Sequence, residues 1–131
     1  MAAVIGAACQ GGPAAGARTE ADQLVNAVRA LREADNADKP ARLAALRGTL
    51  VSEPDLTELK AECVSAYELY TQGLDAVRAV KKSLASDGGD DDAKRAGELL
   101  AGAERDVAAG KQRATRCAEG EGRVVAKYKL K

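Results

Sequence analysis

Apolar residues at Ala21, Leu24, Val25, Val28 and Leu31 recur in steps of three and four, the spacing of one helical face. Thr19 precedes them with Asp22 three residues on, the pattern of an N-cap. "ADNADKP" breaks the run. Asp38 is placed to cap a second helix that carries Pro40 in its first turn, with Leu43, Leu46 and Leu50 as its apolar stripe. The third pattern is the longest. It starts at Ser52, with Pro54 and Asp55 behind it, and runs through Leu56, Leu59, Cys63, Ala66, Tyr70, Gly73, Val77, Val80 and Leu84. Alternating steps of three and four make a heptad seam, on a helix roughly 44 Å long. A fourth seam after Asp92 holds Ala96, Leu100, Ala103, Val107, Gly110, Ala114 and Cys117. The basic tail "RVVAKYKLK" either extends that helix or packs back on the others.

Between the two long seams stands "SDGGDDD", Ser86 to Asp92. Glycines end one helix and aspartates favour the positive N-terminal end of the next, so the stretch predicts the turn of an antiparallel hairpin. A calcium loop would need the D-x-D-x-D-G spacing and a distal Glu, which are absent. In an antiparallel hairpin, residues equidistant from the turn are level. Cys63 and Cys117 are centred on position 90 and both lie on the seams, so a Cys63–Cys117 disulfide is expected. Such a bridge belongs to an oxidising compartment. Cys9 is left unpaired. It is the remnant of a lost pairing, a link between two chains or a lipidation site.

The composition supports helices and excludes several activities. The chain has 131 residues, 46% apolar, with no Phe or Trp and three Tyr. Alanine supplies much of the apolar count, which favours helix and close approach but buries little area. Lys plus Arg and Asp plus Glu are 20 each, without the basic excess of a nucleic-acid binder. No apolar run is long enough to span a membrane. There is no His, no Cys nucleophile beside a base and no phosphate-binding glycine loop, so neither an enzyme, a metal site nor a cofactor is expected. Carboxylates such as Glu58 and Glu62 read as helix-face solubility and ion pairing. The expected fold is all-α, an antiparallel up-down-up-down four-helix bundle over residues 18–131. Residues 1–17, mostly Ala and Gly, form a weakly ordered N-terminal extension.

The third helix, "EPDLTELKAECVSAYELYTQGLDAV", contains P-x-L-x6-C-x3-Y-x6-L at Pro54, Leu56, Cys63, Tyr67 and Leu74. This resembles the plant invertase and pectin methylesterase inhibitor family. There, this cysteine pairs with one at the end of the next long helix, a role matched by Cys117 in "ATRCAEG". "VIGAAC" is similar to the I-x3-C opening of the family domain, with Cys9 as its first cysteine. The chain differs in having no second cysteine near Cys9, no Pro-Lys-Phe motif between the long helices and no "SAAL"-type segment before Cys117.

The resemblance implies a secreted, non-enzymatic inhibitor of the apoplast, cell wall or vacuole that docks on a carbohydrate-active enzyme, pectin methylesterase or acid invertase. The docking surface is expected on the polar side of the long helices, with Glu62, Ser65, Glu68, Thr71, Gln72 and Asp75 as exposed candidates; singly, each also suits a solvated helix face. Tyr67 and Tyr70 read as core or boundary residues. Two chains joined through Cys9 or the N-terminal segment would form a dimer. The other reading is a bacterial envelope lipoprotein with a structural or adaptor role, in which "GAAC" ends a lipobox and "QGGPAAG" is a tether; Gly6 stands there where an apolar residue is usual.

Overall fold

A computed structural model describes residues 15–85 and 89–131. The described residues form four helices, α1 (Ala15–Glu33), α2 (Lys39–Arg47), α3 (Pro54–Leu84) and α4 (Asp90–Tyr128), and no strand. Cys9, and Ser86 to Gly88 of the expected turn, lie outside the described residues.

Each helix end shows which local signal prevailed. α1 is already helical at Ala15, so residues 15–17 belong to the fold rather than to a loose extension. Alanine propensity favours this, and Ala17 joins the core. Thr19 is therefore inside the helix, and its hydroxyl donates to the Ala15 carbonyl at 3.0 Å instead of capping. Asp38 does occupy the N-cap position of α2, without a side-chain cap bond. Leu50 falls beyond the end of α2 and is 83% exposed, so the expected stripe shortens to Leu43 and Leu46. Glu53, not Ser52, precedes α3. The Ser52 hydroxyl instead donates to the Glu20 carboxylate of α1. Asp90, Asp91 and Asp92 form the first turn of α4, which begins three residues earlier than expected.

The long helices pair antiparallel. Cys63 meets Cys117, and seven residues along in each direction the Tyr70 backbone meets Gly110. Farther on, Gly73 faces Ala103 and Val107; in the other direction Leu59 faces Gly120. The closeness depends on missing side chains. A Cβ at Gly110 would lie 2.8 Å from the Tyr70 nitrogen, and one at Gly73 would lie 2.9 Å from the Ala103 carbonyl oxygen. Main-chain atoms cannot swing aside. Gly73→Ala and Gly110→Ala should therefore destabilise by about 1–3 kcal/mol despite a gain in helix propensity. Gly97 and Gly122 face open space. Gly97→Ala and Gly122→Ala should stabilise by up to about 1 kcal/mol each. Urea midpoints of the four variants check both signs.

The core occupies one end of this hairpin. Leu24, Val25, Val28 and Leu31 of α1 and Leu43 and Leu46 of α2 pack against Leu56, Leu59, Cys63, Ala66 and Tyr67 of α3 and Cys117, Val124 and Tyr128 of α4. No residue of α3 beyond Tyr67, and none of α4 before Cys117, is among the fully buried members of this cluster. The bundle is therefore uneven. α1 and α2 wrap the base, and the rest of α3 and α4 continues as a two-helix arm, roughly 20 Å from Tyr70 to Leu84 at the helical rise. The buried residues farther out are Thr71, Gly73, Val80, Ala96 and Ala103, all from the two arm helices. Leu84, expected on the seam, is 53% exposed because the seam runs out at the arm tip.

Candidate functional site

The base is locked by a set of side chains from distant parts of the chain. The Cys63–Cys117 disulfide joins α3 to α4 with the α-carbons 4.9 Å apart, between two fully buried positions. Glu121 is the one buried carboxylate of the base. It accepts from Arg29 Nε at 3.1 Å and from Arg32 Nη1 and Nη2 at 2.7 and 3.2 Å. These bonds raise the Arg32 pKa against the opposing effect of burial. The tail packs back as well as extending the helix, so both expected fates of "RVVAKYKLK" are realised. Val124 and Tyr128 are buried, while Arg18 donates to the Lys129 carbonyl and Arg29 to the Lys131 main-chain oxygen.

Asp55, in the first turn of α3, receives Lys127 Nζ at 2.8 Å and the Tyr128 hydroxyl at 3.1 Å. Burial pulls its carboxyl upward, but these bonds, the Lys127 charge and the Leu56 N–H outweigh it and hold the pKa below the usual carboxylate value. A depressed folded pKa means that the unfolded chain binds the proton first. The stabilisation is present above the unfolded value near 3.8 and is lost as pH falls through the lower folded value. Asp55→Asn should remove this component, leaving a flatter acid limb in a stability-versus-pH series.

Lys39 is buried at the junction of α1, α2 and α3. Its ammonium donates to the carbonyls of Leu31, Arg32 and Ala34 at 3.1, 3.2 and 2.9 Å, closing the C-terminus of α1. It also lies 5.7 and 5.9 Å from the ring centroids of Tyr67 and Tyr70. Burial lowers its pKa, with Asp35 acting in the opposite sense. Tyr67 and Tyr70 are buried and half-buried, as expected for core and boundary residues.

The six residues expected as a docking face do not form one surface. Ser65 accepts from Arg113 of α4 at 2.7 Å, and Glu62 lines a 310 Å³ groove with Asp55, Glu58, Arg123 and Lys127. Glu68 turns the other way and pairs with Arg47 at 2.7 Å, next to α2. Thr71 is buried rather than exposed. Its hydroxyl donates to the Tyr67 carbonyl at 2.8 Å, so the helix itself satisfies the polar group and lets it be buried. Gln72 and Asp75 are exposed on the arm, with Asp75 beside Arg78 at 3.6 Å.

Beyond them, the arm carries an open, largely apolar groove of about 410 Å³. Ala76, Ala79, Val80, Ala96 and Leu99 line it, with Asp92 and Arg95 at its polar edge. Leu99 is 57% exposed. Among the described residues, no group of three or more His, Cys, Asp or Glu is placed to hold a metal ion, and no helix is long and apolar enough to cross a membrane. The fold and site thus define a disulfide-stapled helical bundle with a projecting two-helix arm. Comparison with protein-family models, with curated proteins and with solved structures finds no match to this chain.

Proposed function

We propose that this protein is a non-enzymatic docking module of an oxidising, extracytoplasmic compartment, which presents its two-helix arm to a protein partner. The arm is the observation that carries this reading. Two long helices are stapled at the base and run beyond the core, with their outer faces covered by neither α1 nor α2. A hairpin held this way is preorganised, so binding through it loses little conformational entropy. Gln72, Asp75 and the groove around Val80 and Leu99 are the docking residues on this view.

The partner suggested by the resemblance of α3 is a carbohydrate-active enzyme of the plant cell wall or vacuole, pectin methylesterase or acid invertase, and the activity is inhibition. The test is an assay of the oxidised protein against both enzymes. Inhibition at micromolar concentration that is lost on Leu99→Glu supports the reading. Activity against neither enzyme removes the inhibitor role.

One observation favours the adaptor reading. Arg18 contacts Lys129 and Glu20 contacts Ser52, so the described chain enters at the base, opposite the arm tip. A lipid anchor on Cys9 would precede that end and leave the arm projecting outward. Intact-mass measurement of natively expressed protein decides between the two: a diacylglycerol adduct on Cys9 belongs to the lipoprotein alone.

A further inference from the structure

Where α1 ends, α2 begins and the arm emerges, Arg32, Lys39, Tyr67, Tyr70, Lys111 and Ala114 line an open cavity, a surface depression of about 190 Å³. Four helices contribute to this wall, and it contains no carboxylate. The lining offers donors almost exclusively. Among the described residues, Lys111 has no ion-pair partner, and neither tyrosine hydroxyl has a hydrogen-bond partner. Burial raises the Tyr67 pKa, so its hydroxyl stays a proton donor at neutral pH. Arg32 directs Nη1 and Nη2 to Glu121 but keeps further N–H groups. Lys39 has committed its donors to carbonyls and contributes charge.

The charge balance points the same way. Glu121 is a single carboxylate shared by Arg29 and Arg32. Glu33 and Asp35 act on Arg32 and Lys39 from exposed positions outside the cavity, where water screens them. Arg32, Lys39 and Lys111 thus leave an excess of positive charge around a depression whose open donors come from three helices. A planar carboxylate would satisfy two of these donors. A tetrahedral oxyanion offers more acceptor oxygens than a planar carboxylate, as donors arriving from three helices require.

We propose that the Arg32–Tyr67–Tyr70–Lys111 cavity is a binding site for a small oxyanion of the phosphate class. The site is separate from the arm groove and does not depend on the docking reading. Tyr67 and Tyr70 form its inner wall, and Lys111, on the exposed side of α4, stands at its solvent side.

The test is titration of the full oxidised chain with inorganic phosphate, followed calorimetrically and through the ring resonances of Tyr67 and Tyr70. Saturable binding that perturbs both rings is expected. Lys111→Glu, which puts an anion in place of a cation, should weaken it at least about tenfold, and Tyr70→Phe, which removes one hydroxyl donor, about fivefold. Lys94→Glu makes the same charge change in the first turns of α4, far along the arm, and should leave the affinity within about twofold. Equal weakening by Lys111→Glu and Lys94→Glu, or no saturable binding of phosphate, overturns the site. A parallel titration with glycerol phosphate identifies the source of the anion. Tighter binding than inorganic phosphate assigns a phosphomonoester, weaker binding assigns the free ion, and both uphold the oxyanion site.

Discussion

Removing the Cys63–Cys117 bridge by Cys63→Ala with Cys117→Ala is expected to lower the unfolding free energy by about 4 kcal/mol, the chain-entropy value for a closed loop of this length. The bridge spans 54 positions, so the oxidised unfolded chain is much more constrained than the reduced one. Loss of packing adds little, because Ala occupies most of the volume of a buried Cys. The effect is large for this protein in particular. Its core is built from Ala, Val and Leu, with two of its three tyrosines and no Phe or Trp, and it fills only the base. Urea unfolding of the oxidised and bridge-free chains checks the value. The bridge-free chain should also show a steeper dependence on urea, since its unfolded state exposes more surface. A difference below about 1 kcal/mol would mean that the bridge does not constrain the unfolded chain as this loop length requires.

Lys39→Met is expected to cost about 2–3 kcal/mol, the penalty for leaving buried carbonyls without a donor. Methionine keeps the length and apolar contacts of the lysine stem, so the substitution isolates the ammonium. Three carbonyls at the end of α1 then lose their donor. The Leu31 carbonyl retains the Ala34 N–H at 3.3 Å, which is why the cost stays below three full bonds. Relief of the buried charge works in the same direction, since burial already lowers the Lys39 pKa. Hydrogen exchange should localise the loss to the last turn of α1 and the start of α2. A neutral effect would mean that water replaces the ammonium at no cost.

The seams of the two long helices were legible because apolar spacing is a local property. Cys63, Ala66, Gly73, Ala103, Gly110 and Cys117 are buried where the heptad pattern puts them. The level pairing of the cysteines followed from the position of the turn, and the bridge forms there. Helix starts were less legible. Thr19 and Ser52 carry the residue types of caps, but an alanine run before one and Glu20 beside the other settled their places. The Lys39 cap, the Glu121 cluster and the Asp55–Lys127–Tyr128 contact were not foreseen. The Glu121 cluster joins α1 to α4, a proximity that no spacing along the chain encodes. Lys39 reaches back only five to eight residues, but the fold of the α1–α2 turn decides that it does. Asp55 meets Lys127 and Tyr128 by the same level pairing that joins the cysteines, and only the identity of the partners was missed.

A non-reducing peptide map reads the Cys63–Cys117 bridge itself. The native protein is alkylated, unfolded and cut with trypsin without reductant, and the peptides are weighed. The fragment 61–78 carrying Cys63 should be found covalently joined to the fragment 117–123 carrying Cys117. Recovery of the two as separately alkylated peptides, or of either joined to Cys9, would contradict the stapled hairpin on which the arm and its docking role depend.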